Sequence, residues 1–258
     1  MKVGIYIPNR NHGHIIGRVL DAAVHQGAND ILVVDDASTD NSREIVATYP
    51  VRLFCHAEKT LDHCESLAPL VSEMDADYLV SVGADDLILD GLVDSIRSAA
   101  LAHSPGVVFG DYSIVDCNGA VLGVRRSGFS DVTYLSPAEA TARIGDKSLG
   151  LFECGVGSGV SKQAHDWSRE CGAWRMGPWI DSIGNSVAAC KYGAVYVPRV
   201  LASFTMQPNG GNWHSKVLAN KSISDSYRKN IMQFFCHQDV ASVVPAEALS
   251  AIAMRWGA

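Results

Sequence analysis

Residues 30–42 read DILVVDDASTDNS, and the rest of the chain can be read outward from them. Ile31, Leu32, Val33 and Val34 form an unbroken apolar run of the kind that fills a strand covered on both faces. The run stops at Asp35 and Asp36, adjacent carboxylates that repel each other unless a donor or cation answers them. Polar residues follow, and Asn41 with Glu44 three positions later matches the capping box that opens a helix. The unit is a strand, an acidic edge and a helix. Open α/β sheets bind ligands outside the carboxyl ends of their strands, where this edge lies.

Two more strand ends of this type flank it. Residues 3–7 form a short apolar strand ending in Pro8-Asn9-Arg10-Asn11, and residues 78–82 form another ending in Gly83-Ala84-Asp85-Asp86. Between them, Ile16, Val19, Leu20, Ala23 and Val24 mark an amphipathic helix over residues 14–26, stopped by Gly27. A third strand covers residues 51–54, and Cys64, Leu67, Ala68, Val71 and Met74 recur at helical spacing. Leu89, Leu92, Val93, Ile96 and Ala100 predict a further helix, and residues 107–109 a further strand. This alternation predicts a largely parallel sheet with right-handed crossovers.

Past residue 110 the alternation ends. Asn118-Gly119 between residues 112–115 and 121–124 signals a hairpin. Ser136-Pro137-Ala138-Glu139 combines a capping box with proline at the first helical position. Residues 150–161, GLFECGVGSGVS, are glycine-rich, but Gly155, Gly157 and Gly159 alternate instead of forming G-x-G-x-x-G before a helix. A dinucleotide fingerprint is therefore excluded. WRMGPW at residues 174–179 precedes Asp181, a helix running to Gly193 and a short strand at 194–197. Ile223, Tyr227, Ile231 and Phe234 predict a C-terminal helix, with a last one over residues 246–255.

Composition narrows the class. The chain has 258 residues, 47% hydrophobic and 19% charged, enough for one large globular domain. A net charge of −7 argues against a broad nucleic-acid or anionic-membrane footprint. No apolar run approaches the ~20 residues of a membrane span, and the first strand begins directly after Met1 and Lys2. The expectation is a cytoplasmic protein without a leader or integral membrane contact. Seven widely spaced cysteines with no CxxC pair predict reduced, mostly buried thiols, not disulfides or a zinc site.

The motifs IYIPNRN (5–11), VVDDASTDNS (33–42) and YLVSVGADD (78–86), in this order and spacing, resemble those of family 2 glycosyltransferases. The match is clear over residues 1–125 and thinner to about residue 205. It implies a GT-A fold, a Rossmann-like, mostly parallel α/β sheet flanked by helices, followed by a helical C-terminal extension. It also implies one domain over 1–205, with a nucleotide-sugar and metal half (1–125), an acceptor half (126–205), and the extension (206–258) packed on it. The implied activity is inverting transfer from a nucleoside-diphosphate sugar, with UDP the expected nucleotide and Mn2+ or Mg2+ as cofactor. Residues 150–177 would shape the acceptor pocket, which leaves the acceptor open among glycan, protein, nucleic acid and small molecule.

The same resemblance assigns roles. Asp35 would contact the nucleobase above a floor of Pro8, Asn9 and Asn11, with Asp36 ordering the loop through backbone amides. Ala84 belongs to the nucleotide site, and Lys59 is the one basic candidate before the helix preceding the fourth strand. Asp85 would ligate the metal with Asp86 nearby, although Gly83 replaces the family's usual first aspartate. The alternative is that both aspartates simply end a strand. His214 is either a third metal ligand or a surface loop residue. His12 and His14 are a metal pair or plain loop residues, and Arg10 is a phosphate partner or a solvated side chain. Asp181 stands where the family has its acidic base at the start of a late helix, where the dipole favours the ionised form. It is either that base or a helix cap. Two other functions stay open: a sugar-nucleotide pyrophosphorylase, which needs a glycine-rich basic loop after the first strand, and a binding module without catalysis, which Gly83 keeps in play.

Overall fold

Strand β1 (Val3–Asn9) pairs in parallel with β2 (Asp30–Asp35), and both are apolar on two faces because both faces are covered. Ile5, Ile7, Ile31 and Val33 pack on one side with helices α1 (Ile16–His25) and α4 (Leu92–His103). Tyr6, Leu32 and Val34 pack on the other against Cys64, Leu67 and Val71 of α3 (His63–Ser72). The period of two sends successive residues to opposite layers. Each fully buried aliphatic side chain contributes about 1.5–3 kcal/mol. The computed structural model describes residues 1–60, 62–144, 155–207, 216–217 and 219–256.

Ten strands among the described residues form one sheet, in the order β3-β2-β1-β4-β9-β6-β10-β5. Here β3 is Arg52–Cys55, β4 Tyr78–Ser81, β5 Leu87–Ile88, β6 Val107–Val115, β9 Gly159–Ser161 and β10 Ala194–Thr205. β7 (Val121–Arg125) pairs with β6, and β8 (Thr133–Leu135) with β10. β3, β2, β1 and β4 run parallel, as do β6 and β10. The parallel carboxyl ends of β1, β2 and β4 therefore open on one edge.

A second core fills the later half. Short helix α2 (Ser42–Val46) follows β2, whereas α5 (Pro137–Arg143), α6 (Lys162–Glu170) and α7 (Asn185–Tyr192) flank β6 and β10. Helices α8 (Lys221–Cys236), α9 (Gln238–Val243) and α10 (Ala246–Trp256) close the chain. Tyr227, Ile231, Phe234, Val240 and Ile252 from these last helices share one core with Met176, Trp179, Ile183 and Val187.

Several elements depart from the sequence expectation. Glycine-rich residues 159–161 are no loop: they form β9, antiparallel between β4 and β6. Gly159 is required there, since a Cβ would come within 2.6 Å of Ile96. Residues 150–154 lie outside the described residues. The strand expected at 107–109 continues through the hairpin arm as one β6, and the strand expected at 194–197 runs on to Thr205 past a bulge. Asn41 precedes α2 but its side chain makes no cap. Asp40 accepts from the amide and hydroxyl of Ser42 instead, at 3.1 and 2.5 Å. Leu89 stays outside α4 because its amide bonds to Leu201 of β10. The capping box at Ser136 and Glu139 forms as expected. Thiols are not mostly buried: among the described cysteines Cys55, Cys117 and Cys236 are exposed, while Cys64, Cys171 and Cys190 are buried.

Candidate active site

The end of β2 answers its two carboxylates with two arginines. Arg43, in the first turn of α2, donates from Nε to Asp35 Oδ1 at 2.6 Å, joined by the Ser38 amide at 3.0 Å. Asn9, ending β1, donates to Asp35 Oδ2 at 2.8 Å. Burial pushes the Asp35 carboxyl up, but the bonds from Ser38, Arg43 and Asn9 outweigh it and hold the group below the usual carboxylate range. Arg10 Nη1 donates to the Asp36 carbonyl at 2.7 Å and lies 3.7 Å from its carboxylate. Arg10 is thus neither a solvated side chain nor a free phosphate partner. Asp36 Oδ1 accepts from the Thr60 amide at 2.7 Å, which ties the β3–α3 loop, with exposed Lys59, to the acidic edge.

The β1–α1 loop packs on the same edge. Asn11 adopts a left-handed φ of 57° that asparagine tolerates, and its side chain accepts from the Thr39 amide at 2.8 Å. Its own amide donates to Ser38, and the Gly13 amide to Asp40. Pro8 is half-buried and Asn9 buried, with Asn9 Oδ1 lacking a hydrogen-bond partner among the described residues.

After β4 the chain folds into a tight turn in which the Asp86 amide donates to the Gly83 carbonyl at 3.0 Å. Ala84 is buried beneath it. A Cβ at position 83 would lie 3.0 Å from an Asp85 oxygen and 3.1 Å from one of Asp86, so a side chain here would crowd both carboxylates. Asp85 is half-buried and accepts from Gln207 Nε2 at 3.0 Å. Buried Asp86 accepts from the Thr205 amide at 2.8 Å. Burial first, and then the neighbouring Asp85 and Asp181 carboxylates, push its carboxyl well above the ordinary range.

Asp181 reaches this cluster through an irregular turn. A 3₁₀ segment (Ala173–Trp179) runs into a π-helical turn (Ile180–Gly184) before α7 starts. The kink is at Gly177, with φ 60° and ψ −130°, where a Cβ would strike the Tyr227 ring of α8 at 2.5 Å. Only glycine lets α8 press this close. Asn230 of α8 also donates to the Arg175 carbonyl at 2.7 Å. Asp181 is one turn ahead of α7 and makes no cap to it, since α7 begins at Gly184 and Asn185. Its carboxyl is pushed up to about 6 by burial. It lines a cavity of about 40 Å³ with Tyr6, Ser81, Trp174 and His165. That is room for an ordered water or two, not a sugar.

The fold thus gathers Asp35, Asp36, Asn9 and Asn11 at one strand edge, with Asp85, Asp86 and Asp181 beside them. His214 lies outside the described residues. His12 and His14 stand 6.3 Å apart, ring centre to ring centre. Burial lowers the His12 pKa, Asp85 and Asp40 act the opposite way, and His14 and exposed Lys216 oppose protonation. Sequence reasoning missed Arg43, Gln207, Tyr6 and His165. A basic residue in the helical turn after a strand-ending carboxylate was the available signal for Arg43. Gln207 carried none, because only the extension of β10 delivers it. His165 is buried, its pKa lowered by that burial, 3.1 Å from Asp166 through Nδ1, and packs edge-on to Trp174.

The family model described as glycosyl transferase family 2 matches residues 4–166, more than half of the chain. The chain belongs to glycosyltransferase family 2. As a glycosyltransferase it has the GT-A fold, seen also in S. aureus TarS. The crystal structure of TarS residues 1–349 with UDP-GlcNAc has a TM-score of 0.70 and 14% identity, covering 98% of this chain and 73% of that one. The UDP complex gives a TM-score of 0.66 at 14% identity, covering 98% and 70%. A longer TarS structure gives 0.66 at 14% identity, and this glycosyltransferase covers 44% of it. No curated protein sequence matches the chain.

Proposed function

We propose that the chain is an inverting glycosyltransferase that moves a sugar from a nucleoside-diphosphate sugar, with UDP as nucleotide, to an acceptor hydroxyl, assisted by Mn2+ or Mg2+. The observation that carries this reading is the convergence of Asp85 and Asp86, from the turn after β4, with Asp181, from the turn ahead of α7, beside the carboxyl ends of β1, β2 and β4. The UDP-GlcNAc and UDP held by TarS support the choice of donor. In this reading residues 1–125 hold the donor, 126–205 the acceptor, and 206–258 extend the same domain.

Asp35 contacts the base over Pro8, Asn9 and Asn11, while Asp36 and Thr60 hold Lys59 and its loop towards the diphosphate, with Ala84 against the nucleotide. The carboxylates of Asp85 and Asp86 are adjacent oxygen donors crowded with negative charge, which fits a hard divalent cation. Asp85 would hold it, with Asp86 and His214 beside it; when bound, the ion neutralises charge on the departing diphosphate. Asp181 takes the proton of the acceptor hydroxyl as that oxygen attacks the anomeric carbon from the face opposite the leaving group. A single displacement with one base inverts the configuration.

A pyrophosphorylase fits less well. It needs free amides after β1 to cradle a triphosphate, yet those of Asn11 and Gly13 are already bonded to Ser38 and Asp40. No helix among the described residues is long and apolar enough to cross a membrane, and we place the enzyme in the cytoplasm with an acceptor that is soluble or met at a surface.

The test is release of nucleoside diphosphate from a panel of sugar donors, with thermal unfolding followed beside it. A UDP-sugar hydrolysed slowly without acceptor, and UDP raising Tm more with Mn2+ than without, is the expected result. Triphosphate formed from donor and pyrophosphate would establish the pyrophosphorylase, and binding with no turnover of any donor would leave a binding module. Asp35→Ala is expected to weaken UDP binding by about 1–3 kcal/mol. It should also lower Tm, because Asn9 and Arg43 lose their shared acceptor. Calorimetric titration reads the first effect, and unchanged UDP affinity in the folded variant would remove Asp35 from the nucleotide site.

A further inference from the structure

The cysteine spacing gave no metal signature, yet the fold assembles one on the side of the molecule built by α6, α8 and α9. Buried Cys171 ends α6, half-buried His237 joins α8 to α9, and exposed Asp239 lies in the first turn of α9. One ligand atom from each lies within 4.8 Å of the other two. None of the three lines the Asp181 cavity. We propose that Cys171, His237 and Asp239 form a binding site for a borderline-soft divalent cation, Zn2+ before others, that staples α9 to the end of α6.

Three features of the cluster carry this. Thiolate, imidazole and carboxylate together select Zn2+ or Co2+ over the hard Mg2+ and Ca2+, and three protein ligands leave a fourth position for water. His237 Nδ1 accepts from the Asp239 amide at 3.4 Å, capping α9, and lies 3.9 Å from the Asp239 carboxylate, so a metal would be bound through Nε2 or in exchange for that cap. Zn–S and Zn–N bonds of ~2.3 and ~2.0 Å need ligand atoms roughly 3.5 Å apart, so binding draws the three groups together from separations of up to 4.8 Å. Asp239 and Glu170 act on Cys171 as negative neighbours and Lys191 as a positive one, its ammonium lying over the rings of Trp167 and Tyr192 at 4.2 and 5.4 Å. On binding, the proton of the Cys171 thiol leaves to solvent as the metal–sulfur bond forms.

The staple would also bear on the active site. It fixes the C-terminal end of α8, the helix whose Tyr227 presses on Gly177 ahead of Asp181.

The experiment is titration of the chelator-stripped 258-residue chain with Co2+, followed by absorption. One equivalent should produce a thiolate-to-cobalt charge-transfer band that Zn2+ then abolishes, and Zn2+ alone should raise Tm. Cys171→Ser should lose the band and Asp239→Ala should bind at least tenfold more weakly, whereas Cys236→Ser, at an exposed thiol next to His237, should keep it. A cation at the Asp85 site has no sulfur ligand and produces no thiolate band, so the two sites are read separately. Absence of the band in the wild type, or its survival in Cys171→Ser, overturns the proposal. Should Cys171→Ser fail to fold, undiminished Co2+ affinity in Asp239→Ala overturns it equally.

Discussion

Asp85→Asn is expected to lower sugar transfer by at least about a hundredfold while leaving the fold intact. The residue lies in the turn after β4, supports no core, and its described side-chain hydrogen-bond partner is the Gln207 amide. Asparagine keeps the shape and an acceptor oxygen for that amide but gives up the charge that holds a hard cation. The metal-free variant should unfold at the wild-type temperature or slightly above it. Burial and the carboxylates of Asp85 and Asp181 push the Asp86 carboxyl up, and removing one neighbouring charge relaxes that repulsion. What should vanish is the extra stabilisation that Mn2+ gives the UDP complex. The measurement is a pair of thermal scans, with and without Mn2+, beside a transfer assay. Full activity of the chelator-treated wild type would end the metal reading altogether.

Why the strand ends of β1, β2 and β4 could be read from sequence, and the Asp181 turn less so, has a physical basis. Ile31 to Val34 lie between two covered layers, so every position had to be apolar and the run announced itself. Its carboxylates stand at the strand end because the parallel sheet opens there. By contrast, β9 is three residues, Gly159 to Ser161, held by antiparallel partners far along the chain. No local period marks such a strand. The Asp181 turn is 3₁₀ and then π-helical, so the 3.6-residue stripe on which helix reading depends is missing from residues 173–184. Its shape is set by Tyr227, fifty residues downstream of Gly177. The start of α2 shows a finer limit: Asn41, with Glu44, satisfies the capping-box pattern and Asp40, three before Arg43, does not, yet it is Asp40 that bonds Ser42. Cys171, His237 and Asp239 were invisible for the same reason as β9, because their proximity is wholly tertiary.

Asp181→Asn is expected to lower the transfer rate by ~10²–10⁴, the usual contribution of a general base. The observation behind it is a carboxylate in an irregular, glycine-kinked turn, facing Asp86 and Tyr6 and capping no helix. UDP affinity should barely change, since the nucleotide is assigned to the N-terminal strand ends. The pH profile supplies an independent check. Burial pushes the Asp181 carboxyl up to about 6; below that pH the group holds its own proton and cannot accept another. Wild-type transfer should therefore fall about tenfold per pH unit on the acid side, with a midpoint no higher than about 6, because a cation at Asp85 draws the midpoint down. Stability runs the other way. A carboxyl raised from 3.8 to about 6 by folding stabilises the native state below 3.8 and loses that contribution as pH rises through about 6. The asparagine variant has no such titration, so the difference in Tm between the two proteins should shift in its favour across that window. A side chain that served only as a cap would show neither signature, because asparagine caps as well as aspartate. Wild-type transfer by the folded variant would move the search for the base to Asp86 or His214.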